Sequence, residues 1–268
     1  MRRAGAATVL ILLLFVGYKA LGGGKGHPAA SPTTTSSSTT TSVPKLPACT
    51  TGDVPTQQDP KQAWATVLVD TNVALPAGYG PPDLHNIADA GFPLTDGLAL
   101  RAFVMPDLSE LRKAALANGT PIKILAAYRS YVNQQALYAK RVGQLGNSET
   151  GSRAARPGHS EHQLGTTIDI TSGGLTDVDQ SWGATPTGQW IASNAYKYGF
   201  VLSYPADASA STCSDFEPWH LRYVGRAEAA AVISAGVSLR EYLYDLQQNG
   251  GTTTTSTTVA ASSSTTSH

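Results

Sequence analysis

Apolar positions along the middle of the chain switch between two spacings. After Pro106-Asp107, Leu108, Leu111 and Ala115 fall three and four residues apart, which is one face of a helix, and Asn118-Gly119 ends the run. Pro121 leads into IKILAA (122–127), short, apolar and strand-like. Ser130 stands where an N-cap belongs, ahead of a helix ending at Gly143. Residues 166–170 are mainly β-branched and read as a strand. Thr187 caps a predicted helix through Tyr198, closed by Gly199, and strands follow at 200–204 and 219–224. Ser238 and Glu241 form a capping box for a last helix. Short strands with tight connections suit antiparallel pairing. The expected class is α+β, a small, mainly antiparallel sheet with flanking helices, not a doubly wound sheet.

The pattern fails at both ends. Residues 6–16 are an apolar run, interrupted only by Thr8, behind Met1-Arg2-Arg3, the layout of an export signal. The run is shorter than the ~20 residues that comfortably span a bilayer, so residues 1–21 read as an uncleaved signal anchor or a cleaved signal peptide. Either exports the remainder, with the positive charges left inside. Residues 22–47 are mainly Gly, Ser, Thr and Pro, too polar to offset their ordering entropy, and read as a flexible stalk. Residues 250–268 form a similar tail. Residues 48–249 remain as one domain. Lys plus Arg equals Asp plus Glu at 19 each, and no basic stripe appears, which argues against nucleic acid as a partner.

Candidate chemistry concentrates in GHSEHQLGTTID (158–169). If Ile168 and Ile170 face the core, Asp169 faces the other way. Gly165 lets the chain turn so that His162 and Asp169 converge on one ion; the plain alternative is a polar loop entering a strand that ends in aspartate. A second stretch, DFEPWHLRY (215–223), places Glu217 three residues before His220. Three His or carboxylate ligands with one open position make a hydrolytic zinc site, and a nearby carboxylate must take the proton of the water. His162, Asp169 and His220 fill the first role and Glu217 the second, with Pro218 breaking the strand alternation between Glu217 and His220. Arg129, at a strand-to-helix junction, suits a substrate carboxylate or a developing oxyanion, or else a surface ion pair. Arg222 carries the same alternatives. Cys49 and Cys213 are expected to pair outside the cytoplasm; the alternatives are one inert buried thiol or intermolecular links.

Three segments together resemble one family. SEHQLGTTID, EPWHLRYVG and AAYRSYVNQ are similar, in order, to the two metal motifs and the Tyr-Arg-Ser segment of the zinc D-alanyl-D-alanine peptidases of the VanY type. The resemblance spans about residues 98–244. It implies the small α+β zinc-peptidase fold shared with the hedgehog signalling domain. It implies one Zn²⁺ on His162, Asp169 and His220, Glu217 as general base and Arg129 against the reacting carbonyl. Ser160, Gln134, Tyr128 and Arg222 are expected near the substrate. His159 matches no family role and reads as a loop histidine or a substrate contact. Thr166 and Thr167 depart mildly from the family pattern, and residues 206–214 form a variable loop ahead of the second motif. The implied activity is removal of the C-terminal D-Ala from peptidoglycan stem peptides by a monomeric enzyme. Alternatives are an L,D-carboxypeptidase on tetrapeptide stems, or a non-catalytic zinc domain that binds the wall. The presence of Glu217 favours an enzyme. A serine peptidase is disfavoured, since S-x-x-K occurs only as SVPK (42–45) in the Ser/Thr-rich stalk and no K-T-G follows it.

Overall fold

The computed structural model describes residues 45–146, 154–177 and 179–249. The expected N-terminal segment, the stalk up to residue 44 and the tail from 250 lie outside the described residues. The strand-like runs become β5 (Ile122–Ala126), β6 (Thr167–Ser172), β7 (Phe200–Leu202) and β8 (His220–Tyr223). They form one four-stranded sheet in the order β5-β6-β8-β7, with every neighbouring pair antiparallel. Two small pairs precede it. β1 (Val54–Pro55) runs parallel to β2 (Val73–Ala74), and β3 (Leu84–Asn86) runs antiparallel to β4 (Ala99–Arg101).

Helix α1 (Met105–Ala117) buries Met105, Leu108, Leu111 and Ala115, the stripe its spacing predicts. These residues join Ile124, Ile168, Ile170, Phe200 and Leu221 of the sheet in one core. Each such aliphatic or aromatic side chain contributes roughly 1.5–3 kcal/mol when fully buried. α3 (Pro186–Asn194) adds Ile191 to the same core. Beyond the short α4 (Ser209–Thr212), α5 (Arg226–Ala235) and α6 (Leu239–Gln248) bury Ala229, Val232, Leu239 and Leu243 in a second cluster with Val201 and Val224. Alternation along β7 sends Phe200 to the first cluster and Val201 to the second.

Several boundaries differ from the sequence pattern. α2 (Tyr131–Leu145) runs through Gly143 and stops at Gly146, because an interior glycine costs a helix only about 1 kcal/mol. Thr185, not Thr187, caps α3; its hydroxyl accepts from Gly188 N–H, and Pro186 occupies the first helical position, where its missing N–H costs nothing. β6 runs two residues further than expected and β7 ends two earlier. The capping box at Ser238 and Glu241 forms as read. Cys49 and Cys213 are disulfide-bonded, with Cα atoms 5.2 Å apart, so neither alternative for the thiols holds.

Candidate active site

The register of the sheet builds the centre of the site. Asp169 on β6 pairs directly with His220 on β8, and on its other side it faces Ala126 across an irregularity in β5. Cross-strand partners hold their Cβ atoms about 5 Å apart, close enough for one ion to bridge their side chains. Ile168 and Ile170 are fully buried in the core, while Asp169 keeps partial exposure on the opposite face.

His162 comes from the 3₁₀ turn Glu161–Leu164, which ends at Gly165 with φ of 71°. A side chain at Gly165 would also place its Cβ 2.8 Å from Pro81 Cγ, so handedness and space both require glycine. The turn is held to the segment after β5 from both sides. Arg129 N–H donates to the His162 carbonyl at 3.1 Å, and His162 Nδ1 donates to the Ala127 carbonyl at 2.8 Å. The second bond fixes the tautomer and leaves the Nε2 lone pair free, 3.3 Å from Asp169 Oδ2. At His220 the roles of the ring nitrogens are reversed. Nε2 lies 3.0 Å from Glu161 Oε2, and Nδ1 faces Asp169 Oδ1 at 3.2 Å. Asp169 therefore offers one oxygen to each imidazole, and the rings stand edge to face with centroids 5.1 Å apart.

The donor set fits a zinc ion. One atom from each of His162, Asp169 and His220 lies within 4.8 Å of the others. Two nitrogens and a carboxylate oxygen are the ligand chemistry of hydrolytic zinc, and each histidine has its far nitrogen anchored by a carbonyl or a carboxylate, as metal-ligating histidines do. Asp169 Oδ1 is buried and accepts no hydrogen bond of adequate geometry, which leaves it available to a cation. The electrostatics agree. Burial alone would push His220 down, but Asp169, Glu161 and Glu217 outweigh it and lift its pKa to about 10. Burial would raise Asp169, but the two imidazoles outweigh that and hold its carboxyl far below the usual range.

Glu217 stands beside this centre. Its Oε2 is 3.6 Å from His220 Nδ1. His220 N–H donates to the Glu217 carbonyl at 3.1 Å, so a turn through Pro218 brings both side chains to one side. Burial, reinforced by the neighbouring carboxylates against the pull of His220, raises its pKa to about 7. Arg129 Nη2 lies 4.0 Å from Asp169 Oδ2, and its Nη1 donates to Gln134 Oε1 at 2.9 Å. Gln134 is buried and donates in turn to the Ala155 carbonyl at 2.6 Å. Ser160 is buried at the edge of the same cleft, a cavity of about 460 Å³ that also exposes Tyr204.

Two expected substrate contacts lie elsewhere. Arg222 has no exposed surface; its guanidinium donates to Glu161 Oε1 and to the Trp64 and Val67 carbonyls, so it lies behind His220 and cannot touch a substrate. Tyr128 is absent from the cleft lining, and its hydroxyl lies beside Gly80. His159 is buried against the Asp70 carbonyl and the Asp53 carboxylate and tethers loops. The residue the sequence reading missed is Glu161. It is buried and accepts from His220, Arg222 and the Ser203 hydroxyl. Burial would raise its carboxyl, but these partners hold it down at about 2, so it stays an anion. The available signal was His220 and Arg222 two apart on one strand face, two basic groups that need a buried acid.

Comparisons with known proteins identify the family. The family model described as VanY, D-alanyl-D-alanine carboxypeptidase, matches residues 97–226. The D-alanyl-D-alanine carboxypeptidase of Enterococcus faecalis is 30% identical over 196 residues, covering 70% of this chain and 68% of the relative. Among solved structures, the LD-carboxypeptidase LdcB superposes with a TM-score of 0.61 at 34% identity, over 66% of this chain and 85% of that one. VanYB in complex with D-alanine-D-alanine gives 0.57 at 30% identity, over 68% and 98%. A vancomycin-resistance D,D-pentapeptidase VanY in complex with Zn(II) gives 0.57 at 30% identity, over 67% and 99%.

Proposed function

This chain belongs to the VanY family of D-alanyl-D-alanine carboxypeptidases, and from that premise we propose how its own residues divide the work. The protein is a zinc-dependent metallo-carboxypeptidase that hydrolyses the C-terminal D-Ala-D-Ala bond of peptidoglycan stem peptides. The observation that carries the assignment of roles is the convergence of the Asp169 carboxylate, His162 Nε2 and His220 Nδ1 beside the buried carboxylate of Glu217. His162, Asp169 and His220 hold the zinc. When bound, zinc supplies a Lewis acid that polarises the scissile carbonyl and makes a neighbouring water acidic.

Glu217 Oε2 takes the proton of the attacking water. A carboxylate poised near pH 7 is suited both to accept that proton and to return it to the leaving amine. The Arg129 guanidinium, held in place by Gln134, faces the carbonyl oxygen and stabilises the charge that develops there. Ser160 and Gln134 border the substrate. Glu161, bound by Arg222, holds His220 by its far nitrogen and keeps Nδ1 turned to the centre.

The enzyme acts outside the cytoplasm, and the Cys49–Cys213 disulfide suits an oxidising compartment. No helix among the described residues is long and apolar enough to cross a membrane. Attachment, by our reading, falls to the apolar run at 6–16, retained as an anchor or removed after export, and the domain works as a monomer. The test of the activity is mass spectrometry of defined muropeptides after incubation with the zinc-loaded protein. Pentapeptide stems should lose one D-alanine, with the reaction abolished by chelator and indifferent to penicillin. The likeness to LdcB supports a second reading as an L,D-carboxypeptidase; shortening of tetrapeptide stems with pentapeptides left intact would establish that reading instead.

A further inference from the structure

One wall of the cleft is helix α2, and its packing is unusual. Over 15 residues it buries only Gln134. Gln134, Leu137, Tyr138 and Arg141 all line the cleft. Their spacing of three, four and seven residues puts them on one face. A helix normally covers such a face with its own core; here Leu137 and Tyr138 are half-buried and Arg141 is exposed.

Four arginines line the cleft, and three are engaged. Arg129 lies on Gln134 and Asp169, Arg156 on Asp53, and Arg240 on the buried Asp70. Among the described residues no carboxylate pairs with Arg141. It lies seven positions along α2 from Gln134, about 10 Å by helical rise. A carboxypeptidase has only one residue beyond the bond it cuts, and one residue spans about 3.5 Å. A group some 10 Å along the cleft wall from the residue that steadies Arg129 is farther than one downstream residue reaches, which suits the upstream part of the substrate.

We propose that Arg141 is a specificity-determining residue that binds a free carboxylate on the stem peptide upstream of the scissile bond. The proposal rests on the peptidase reading above. Two sources offer that chemistry: the α-carboxylate left free by a γ-linked glutamate, and the side-chain carboxylate of a diamino diacid at the third position. A fork of guanidinium N–H groups on an open rim selects such an anion and tolerates either geometry. Leu137 and Tyr138 supply the apolar surface beneath the intervening residues.

The experiment uses two pairs of synthetic pentapeptides and the zinc-loaded protein. One pair differs only in γ-linked D-glutamate against D-isoglutamine. The other differs only in diaminopimelate against lysine. The unaltered protein should favour the carboxylate member of one pair, and that pair identifies the source. Arg141→Gln should lower that preference about 3- to 10-fold, largely through KM, as an exposed ion pair allows. Arg141→Lys should restore part of it and Arg141→Glu should invert it. Arg141 is exposed and unpaired among the described residues, so these variants should fold; a loss of equal size on both members of each pair would overturn the proposal. Calorimetric binding of the same four peptides to the Glu217→Gln protein, with and without Arg141→Gln, reads the same ratio without turnover. Failure to release D-alanine would thus count against the peptidase reading alone, and equal affinities within both pairs, unchanged in Arg141→Gln, would overturn the role of Arg141.

Discussion

The proposed ligands and the proposed base are held in different ways. His162, Asp169 and His220 sit on or against the central sheet, and behind them Glu161 and Arg222 form a fully enclosed ion pair. Glu217 instead ends a loop, residues 203–217, whose middle is tied by a disulfide and by Arg240 to the start of the domain. The sheet side is fixed by register and burial, which little can shift. The loop side is fixed by a few bonds between segments distant in sequence. Damage to the first should remove the metal, and damage to the second should leave the metal in place while the base is misplaced.

The largest effects should therefore come from the ligands. His162→Ala or His220→Ala should lose tightly held zinc and with it measurable activity, read by metal analysis of purified protein alongside turnover. A variant that kept one zinc per chain and its activity would remove that residue from the ligand set. Glu217→Gln should separate the two regions. It preserves shape and removes the base, so zinc content should stay at one while kcat falls roughly 10²–10⁴-fold. Near-normal turnover would move the base elsewhere, Asp215 being the nearest carboxylate in sequence.

The two regions also differed in how far the sequence disclosed them. Histidine and aspartate at ligand spacing, next to a β-branched run, marked two sheet-borne residues and one on the adjoining turn as candidate ligands, because few other roles demand that combination. The helix stripe of α1 and the capping box of α6 were equally plain, since each depends on residues a few positions apart. Glu161 was not visible. Its meaning depends on Arg222, 61 residues away, and on a strand pairing that no local pattern encodes. Arg222 was misjudged for the same reason: an arginine two residues from a ligand reads as a substrate contact until its side chain is seen to pass behind the histidine. The true end of α2 was hidden because a single interior glycine can be carried by the rest of a helix.

Glu161 allows a finer test of the sheet side. Glu161→Gln leaves Arg222 buried without its anion and weakens the grip on His220. Loss of such an outer partner typically lowers metal affinity 10–100-fold, and an uncompensated buried charge costs about 3–5 kcal/mol. Zinc titration against a competing chelator, with urea unfolding of the metal-free protein, measures the two separately. An unchanged zinc affinity would mean that Glu161 serves the fold and not the centre.

The smallest effect on chemistry should follow removal of the disulfide. Cys49 and Cys213 are 164 residues apart, so the bridge closes most of the folded domain, and the chain-entropy model assigns such a bridge about 4–5 kcal/mol before native strain is subtracted. Its effect on the site is a separate matter. Arg240 donates to the carbonyls of Pro47 and Ser211 and pairs with buried Asp70, so the same two segments stay clamped when the sulfurs are gone. Glu217 N–H also keeps its bond to the Tyr204 carbonyl. The Cys49→Ser, Cys213→Ser double variant should thus unfold at lower denaturant while retaining zinc and losing less than about tenfold in kcat/KM, far below the loss for Glu217→Gln. Arg240→Met in that background should then release the loop, and a fall in kcat with zinc still bound would show that the loop clamp positions the base. If the double cysteine variant alone lost activity as fully as Glu217→Gln, the disulfide itself, and not the Arg240 clamp, would be what holds Glu217 over the metal.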